Sequence, residues 1–165
     1  MLFRSQLLAL ENKEYKLSMI TLQGIELINL AANEYRTHPK AYGKKIVVSP
    51  SSVNVQISSD YTLLMRVIIN MVINALEATS EGGSITIGLD DDGDFAKFWV
   101  ASRRVIPDHV KVQIFKRSFS TKGIDRGLGT YSIKLLTENY LGGKVGFSSE
   151  EPDGTVFWVK IGKSN

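Results

Sequence analysis

Residues 60–79 read DYTLLMRVIINMVINALEAT, and the fold turns on this stretch. Leu64, Ile68, Met71, Val72 and Ala75 recur at helical spacing, while Ile69, Ile73 and Leu76 cover a second flank. A helix here is apolar almost all round and belongs in the interior. One stripe is polar. Asn70, Asn74 and Glu77 stand at i, i+4 and i+7, one above the other on a single face, with Arg66 one turn earlier. Burying unpartnered amides and a carboxylate costs roughly a few kcal/mol each, so the stripe is expected to face a polar cleft, a metal or a ligand. A single buried Asn is explained as well by a cap on a neighbouring loop; stacked polar groups favour a site.

Composition narrows the class. The chain has 165 residues, of which 43% are hydrophobic and 22% charged, which suits one globular domain with its own core. A net charge of +3, spread along the chain, is too mild for a nucleic-acid footprint. The absence of Cys excludes a disulfide framework and Cys-based zinc sites, and fits a reducing cytoplasm. No apolar run is long enough to cross a bilayer, and the opening MLFRSQLLAL lacks the length and flanks of a signal peptide.

Outward from the central helix, the spacing predicts a strand over 15–22 and a helix over 23–35 that Thr37-His38-Pro39 stops. A basic loop follows over 42–45, then a strand over 53–57, with Ser58-Ser59-Asp60 supplying the cap of the central helix. Beyond that helix, 84–89 and 95–100 read as a hairpin, and 107–115 as a short helix opened by proline. A polar loop over 116–129 leads to a helix over 130–141, which Gly142-Gly143 ends, and 145–147 and 155–161 form a second hairpin. The expected class is α+β: a two-layer α/β sandwich, its mixed sheet mostly antiparallel and its helices on one face.

A second chemical stretch is FSTKGIDRGLGTYS at 119–132. A glycine-bearing loop running into a helix presents free backbone N–H groups and a positive dipole end to an anion, and Lys122 adds charge. Alone this is ordinary turn chemistry. It matches neither the nucleotide P-loop nor the dinucleotide Gly-x-Gly-x-x-Gly pattern.

Taken together the stretches resemble the catalytic domain of sensor histidine kinases. Asn70-x-x-x-Asn74-Ala75-x-Glu77-Ala78 is similar to the N-box, residues 115–122 to the F-box, and Gly127-Leu128-Gly129-Thr130 to the G2 box. Gly142-Gly143-x-Val145 and Gly154-Thr155-Val156-Phe157 resemble the closing strands, so the likeness spans 15–161. It implies a Bergerat ATP-binding fold over 15–162, with 1–14 the remnant of a preceding helical segment, and ATP with Mg²⁺ as cofactors.

The resemblance also implies roles. Asn74 would be the Mg²⁺ ligand, and Asn70 and Glu77 the catalytic pair, Asn70 positioning water or phosphate oxygens and Glu77 orienting a neighbour. Lys122, Gly127, Leu128, Gly129 and Thr130 would hold the phosphates. The implied partners are a His-bearing dimerisation domain of the same full-length protein and a response regulator receiver, in the cytoplasm, without nucleic acid or membrane contact by this piece. Two departures stand out. Ser102 occupies the place of the family's adenine-binding Asp, with Arg103-Arg104 in its glycine region, and neither His38 nor His109 sits in a phosphoacceptor motif. Two alternatives therefore stay open: a degenerate module that docks a response regulator or kinase core without ATP turnover, and another Bergerat ATPase such as an anti-sigma-factor serine kinase.

Overall fold

The computed structural model describes residues 10–116 and 128–164. Among the described residues seven strands are ordered as β1 (Met19–Gln23), β2 (Lys45–Val48), β3 (Gln56–Asp60), β4 (Ser84–Asp92), β5 (Phe95–Ser102), β6 (Lys144–Glu150) and β7 (Gly154–Gly162). The helices are α1 (Gly24–Arg36), α2 (Tyr61–Glu77), the short α3 (Asp108–Lys111) and α4, which opens at Leu128–Lys134 and runs on through a wider π-helical turn, Leu135–Tyr140. A five-stranded sheet has the order β2-β4-β5-β7-β6, and β1 pairs with β3 in a separate ribbon. Only the β2–β4 pairing of the large sheet is parallel; the other three are antiparallel. The expected α+β sandwich is the fold observed.

The stretch 60–79 is its centre. Leu64, Met71, Val72 and Leu76 of α2 are fully buried, packed with Ile28 and Ala31 of α1, Ile85 and Ile87 of β4, and Phe98 of β5. The opposite face of the sheet carries no helix among the described residues and is covered by its own aromatics. Trp99 lies over Gly88 and Trp158 over Gly146, where an added Cβ would sit 2.0 and 2.2 Å from the indole rings. Glycine is what lets the rings lie flat.

Several boundaries differ from the sequence reading, each for a local reason. The first strand begins at Met19 and not at Tyr15, because Ser18 N–H and the Tyr15 hydroxyl are spent on the Asp60 carboxylate. The strand expected over 53–57 lies at Gln56–Asp60, since Val53 N–H bonds Leu89 and the Val55 carbonyl accepts from Gly24. Asp60 is the cap of α2, its side chain accepting from Leu63 N–H, but Ser58 and Ser59 belong to β3. β2 falls partly in the expected basic loop; at four residues it offers too short an alternation to read. The hairpin strands β4 and β5 each run further than read, so their turn is Gly93-Asp94. α3 is one turn only, and α4 starts at Leu128, ahead of the expected Thr130. Gly142, at φ +65°, ends α4 as read.

Candidate nucleotide site

The polar stripe of α2 opens toward the start of α4. Asn70 is 7% exposed, and the Asn74 side-chain nitrogen is buried without a hydrogen-bond partner. A Cβ on Gly129 would lie 3.5 Å from Asn74 Oδ1, so the backbone of α4's first turn passes directly over this amide. The two stretches that sequence reading singled out therefore meet in space, although Asn74 and Gly129 are far apart in the chain. An orphaned amide costs about 1–3 kcal/mol, a cost that a ligand in the cleft would remove. Thr130 follows in the same turn, half-buried.

At the lower end of the stripe Glu77 is paired. Lys40 Nζ lies 2.5 Å from its carboxylate, the two side chains being 35% and 12% exposed. The end of α2 is closed by Lys44, whose ammonium donates to the Leu76 carbonyl at 2.8 Å, and by Thr79, whose hydroxyl donates to Ala75 at 2.7 Å. Lys40 was not singled out from the sequence. Its only signal there is a basic residue beside the His38-Pro39 helix stop.

Ser102 is the last residue of β5, 7% exposed and paired with Thr155 of β7. The run after it is stitched down by buried hydroxyls. Thr155 donates to the Arg104 carbonyl at 2.6 Å, Ser149 lies 2.7 Å from Thr155, and Ser149 Oγ accepts from Ile106 N–H at 2.7 Å. Gly154, at φ +85°, is required here, since a Cβ on it would fall 2.2 Å from the Ser102 carbonyl. Arg103 and Arg104 are exposed. The backbone path is held by hydroxyls where glycines were expected to allow it.

Of the remaining expected site residues, Lys122 and Gly127 lie outside the described residues, and the backbone of Leu128 opens α4. Phe115, the start of the expected F-box, sits edge-on to Phe147 and Phe157, at 5.8 and 6.2 Å, which anchors the chain where the 116–127 run begins. His109 is exposed on α3, and His38 stacks on Tyr35 at 4.7 Å. Among the described residues no group of three or more His, Cys, Asp or Glu could hold a metal ion. A cation here would depend on an amide oxygen together with ligand oxygens and water, a donor set that suits Mg²⁺.

Residues 59–165 match the family described as histidine kinase-, DNA gyrase B-, and HSP90-like ATPase. The chain belongs to that family. Among curated relatives of this ATPase domain, the sensor protein IrlS of Burkholderia pseudomallei is 28% identical over 158 residues, 92% of the chain. The sensor histidine kinase DcuS of Escherichia coli is 34% identical over 105 residues, 56% of the chain. The chain spans 33% of IrlS and 17% of DcuS, so these relatives extend well beyond the part matched. Among solved structures, the nucleotide-free catalytic domain of the histidine kinase ThkA superposes with a TM-score of 0.77 at 27% identity, covering 89% of this chain and 97% of that one. Full-length ShkA in complex with AMPPNP gives a TM-score of 0.78 at 25% identity, covering 96% of this chain and 36% of that one. The fold and family are those of the sensor histidine kinase ATPase domain. No helix among the described residues is long and apolar enough to cross a membrane.

Proposed function

We propose that this chain is the ATP-binding catalytic domain of a two-component sensor histidine kinase, passing the γ-phosphoryl group of ATP to a histidine on a separate dimerisation domain. The observation that carries the reading is the unpartnered Asn74 amide lying under the Gly129 turn of α4. Bound Mg²⁺ would supply charge neutralisation at the phosphates. Asn74 offers the amide oxygen, Asn70 orients water or phosphate oxygens, and the N–H groups of the Gly127-Leu128-Gly129-Thr130 run, with Lys122, hold phosphate. The domain contributes position and charge and forms no covalent bond to the phosphoryl group. The AMPPNP-bound state of ShkA and the complex of ThkA with the response regulator TrrA support an ATP ligand and a response-regulator partner.

A titration with a fluorescent ATP analogue tests this. Saturable, Mg²⁺-dependent binding that unlabelled ATP displaces is expected; a chain that shows none is not an ATP-binding domain. Incubated alone with γ-labelled ATP, the chain should carry no acid-labile phosphate, since neither His38, at the helix stop before Pro39, nor His109, in the single turn of α3, lies in a phosphoacceptor motif. Acid-labile label on this chain would contradict that expectation, whereas label on a separately supplied His-bearing hairpin supports the reading.

Ser102 sets a further expectation. A neutral hydroxyl is a weaker acceptor for the adenine amino group than a carboxylate, by about 1 kcal/mol, so Ser102→Asp should tighten ATP several-fold and leave GTP unchanged or weaker. Isothermal titration of both nucleotides reads it. Equal responses would move the adenine contact elsewhere.

A further inference from the structure

Glu77 poses an electrostatic problem for this reading. It shares the stripe with Asn74, less than one turn further along α2, so a carboxylate stands at the edge of a site for polyphosphate, where like charges repel. The C-terminal end of a helix adds partial negative charge of its own. The structure answers with a lysine from another element. Lys40 lies in the single 3-10 turn Pro39–Ala41 between α1 and β2, and its ammonium reaches Glu77 at 2.5 Å.

Everything around Lys40 fixes that reach. Its backbone N–H donates to His38 Nδ1 at 3.1 Å, His38 stacks on Tyr35, and Pro39 presets the turn. Four residues on, Lys44 holds the Leu76 carbonyl, and Gly82 N–H bonds the Gly43 carbonyl at 2.6 Å. The connection is thus clamped along the end of α2, and the lysine arrives preorganised. An ammonium has three donors, and the Lys40 side chain is 35% exposed, so contact with Glu77 leaves donors open to a ligand.

We propose that Lys40 is a phosphate-binding residue of the nucleotide site and that Glu77 is the group that positions it, for a nucleoside di- or triphosphate. This rests on the ATP-binding reading above and assigns its cation. The competing explanation is a purely structural ion pair that complements the end of α2, which would affect melting but not the choice of ligand.

Calorimetric titration of the chain with Mg²⁺-ATP, Mg²⁺-ADP and adenosine separates the two, with amide NMR shifts for the weak adenosine arm and a melting curve for every variant. Loss of a charged hydrogen bond to phosphate corresponds to about a ten-fold weakening, so Lys40→Met should bind Mg²⁺-ATP and Mg²⁺-ADP about ten-fold less tightly and adenosine within about two-fold. Lys40→Arg should stay within about three-fold of the parent, because the charge remains. Glu77→Gln should fall between, and the double variant should be no worse than Lys40→Met alone, as expected of a residue that acts through another. If Lys40→Met binds Mg²⁺-ATP like the parent, or loses ATP and adenosine equally, the assignment is overturned. Asn74→Ala in parallel tells the two failures apart: lost binding there with Lys40→Met intact refutes only this inference, and a parent that binds no Mg²⁺-ATP refutes both.

Discussion

Asn74→Ala should abolish Mg²⁺-nucleotide binding without destabilising the domain. Replacing a group that only supports a metal ligand costs about 10–100-fold in affinity, so removing the ligand itself should cost at least about a hundred-fold. The stability half of the expectation comes from the structure. The Asn74 nitrogen is buried with no hydrogen-bond partner, so alanine removes an unsatisfied polar atom along with the metal ligand. Melting of the apo domain should therefore stay level or rise while nucleotide binding disappears. Glu77→Ala should weaken binding less, since its carboxylate acts on the ligand through Lys40. The pair of measurements is calorimetry with Mg²⁺-ATP and thermal melting without it. An Asn74→Ala domain that still bound Mg²⁺-ATP at parental strength would place the nucleotide outside the α2–α4 cleft.

What the sequence made legible follows from the range of its signals. The central helix could be read because its apolar positions repeat over four turns, and its polar stripe stood out against them. The juxtaposition of Asn74 with Gly129 could not be read from spacing; it rests on α4 returning across α2 after the β4–β5 hairpin. It was anticipated only through the resemblance of two motifs to one family. β2 was missed because four residues give a single alternation, and its place beside β4 is set by the parallel pairing of Ile46 with Ile85. β3 was misplaced because Val53 and Val55 alternate like a strand while their backbones serve as contacts to Leu89 and Gly24. Lys40 offered only a basic residue beside a helix stop, and a lysine in a loop is indistinguishable from solvated charge until the fold places it against Glu77. Ser102 shows the reverse case. Its departure from the family pattern was plain, but the hydroxyl relay through Thr155 and Ser149 that holds the following backbone depends on two distant strands.

Asp60→Ala should be among the most destabilising single changes in this domain, by roughly 3–4 kcal/mol. Asp60 is 1% exposed, and its carboxylate accepts from Leu63 N–H at 3.0 Å, from Ser18 N–H at 2.9 Å and from the Tyr15 hydroxyl at 3.2 Å. One of these bonds is the N-cap of the helix that carries the polar stripe; the other two fasten the segment that leads into β1. A lost N-cap alone costs about 1 kcal/mol, and the bonds of the buried carboxylate to Ser18 N–H and the Tyr15 hydroxyl add about 1 kcal/mol or more each. In a chain of this size 1 kcal/mol corresponds to about 2–4 °C, so the melting temperature should fall by roughly 6–16 °C. Asp60→Asn keeps the shape and one acceptor oxygen and should lose less than half of that. Tyr15→Phe should cost least at neutral pH, and it isolates a pH effect. Burial, and then the Asp60 charge, push the Tyr15 hydroxyl above its ordinary value of 10.0. A group whose folded pKa is raised contributes stability that is complete below the unfolded value and is lost as pH rises through the folded one. The parent should thus lose its advantage over Tyr15→Phe as pH climbs past about 10, where the phenolate would face the carboxylate. Melting curves of the three variants at neutral and alkaline pH check the set. An Asp60→Ala domain that melted with the parent would mean that the cap and both N-terminal contacts are replaced by water at no cost, and that α2 is held by its apolar packing alone.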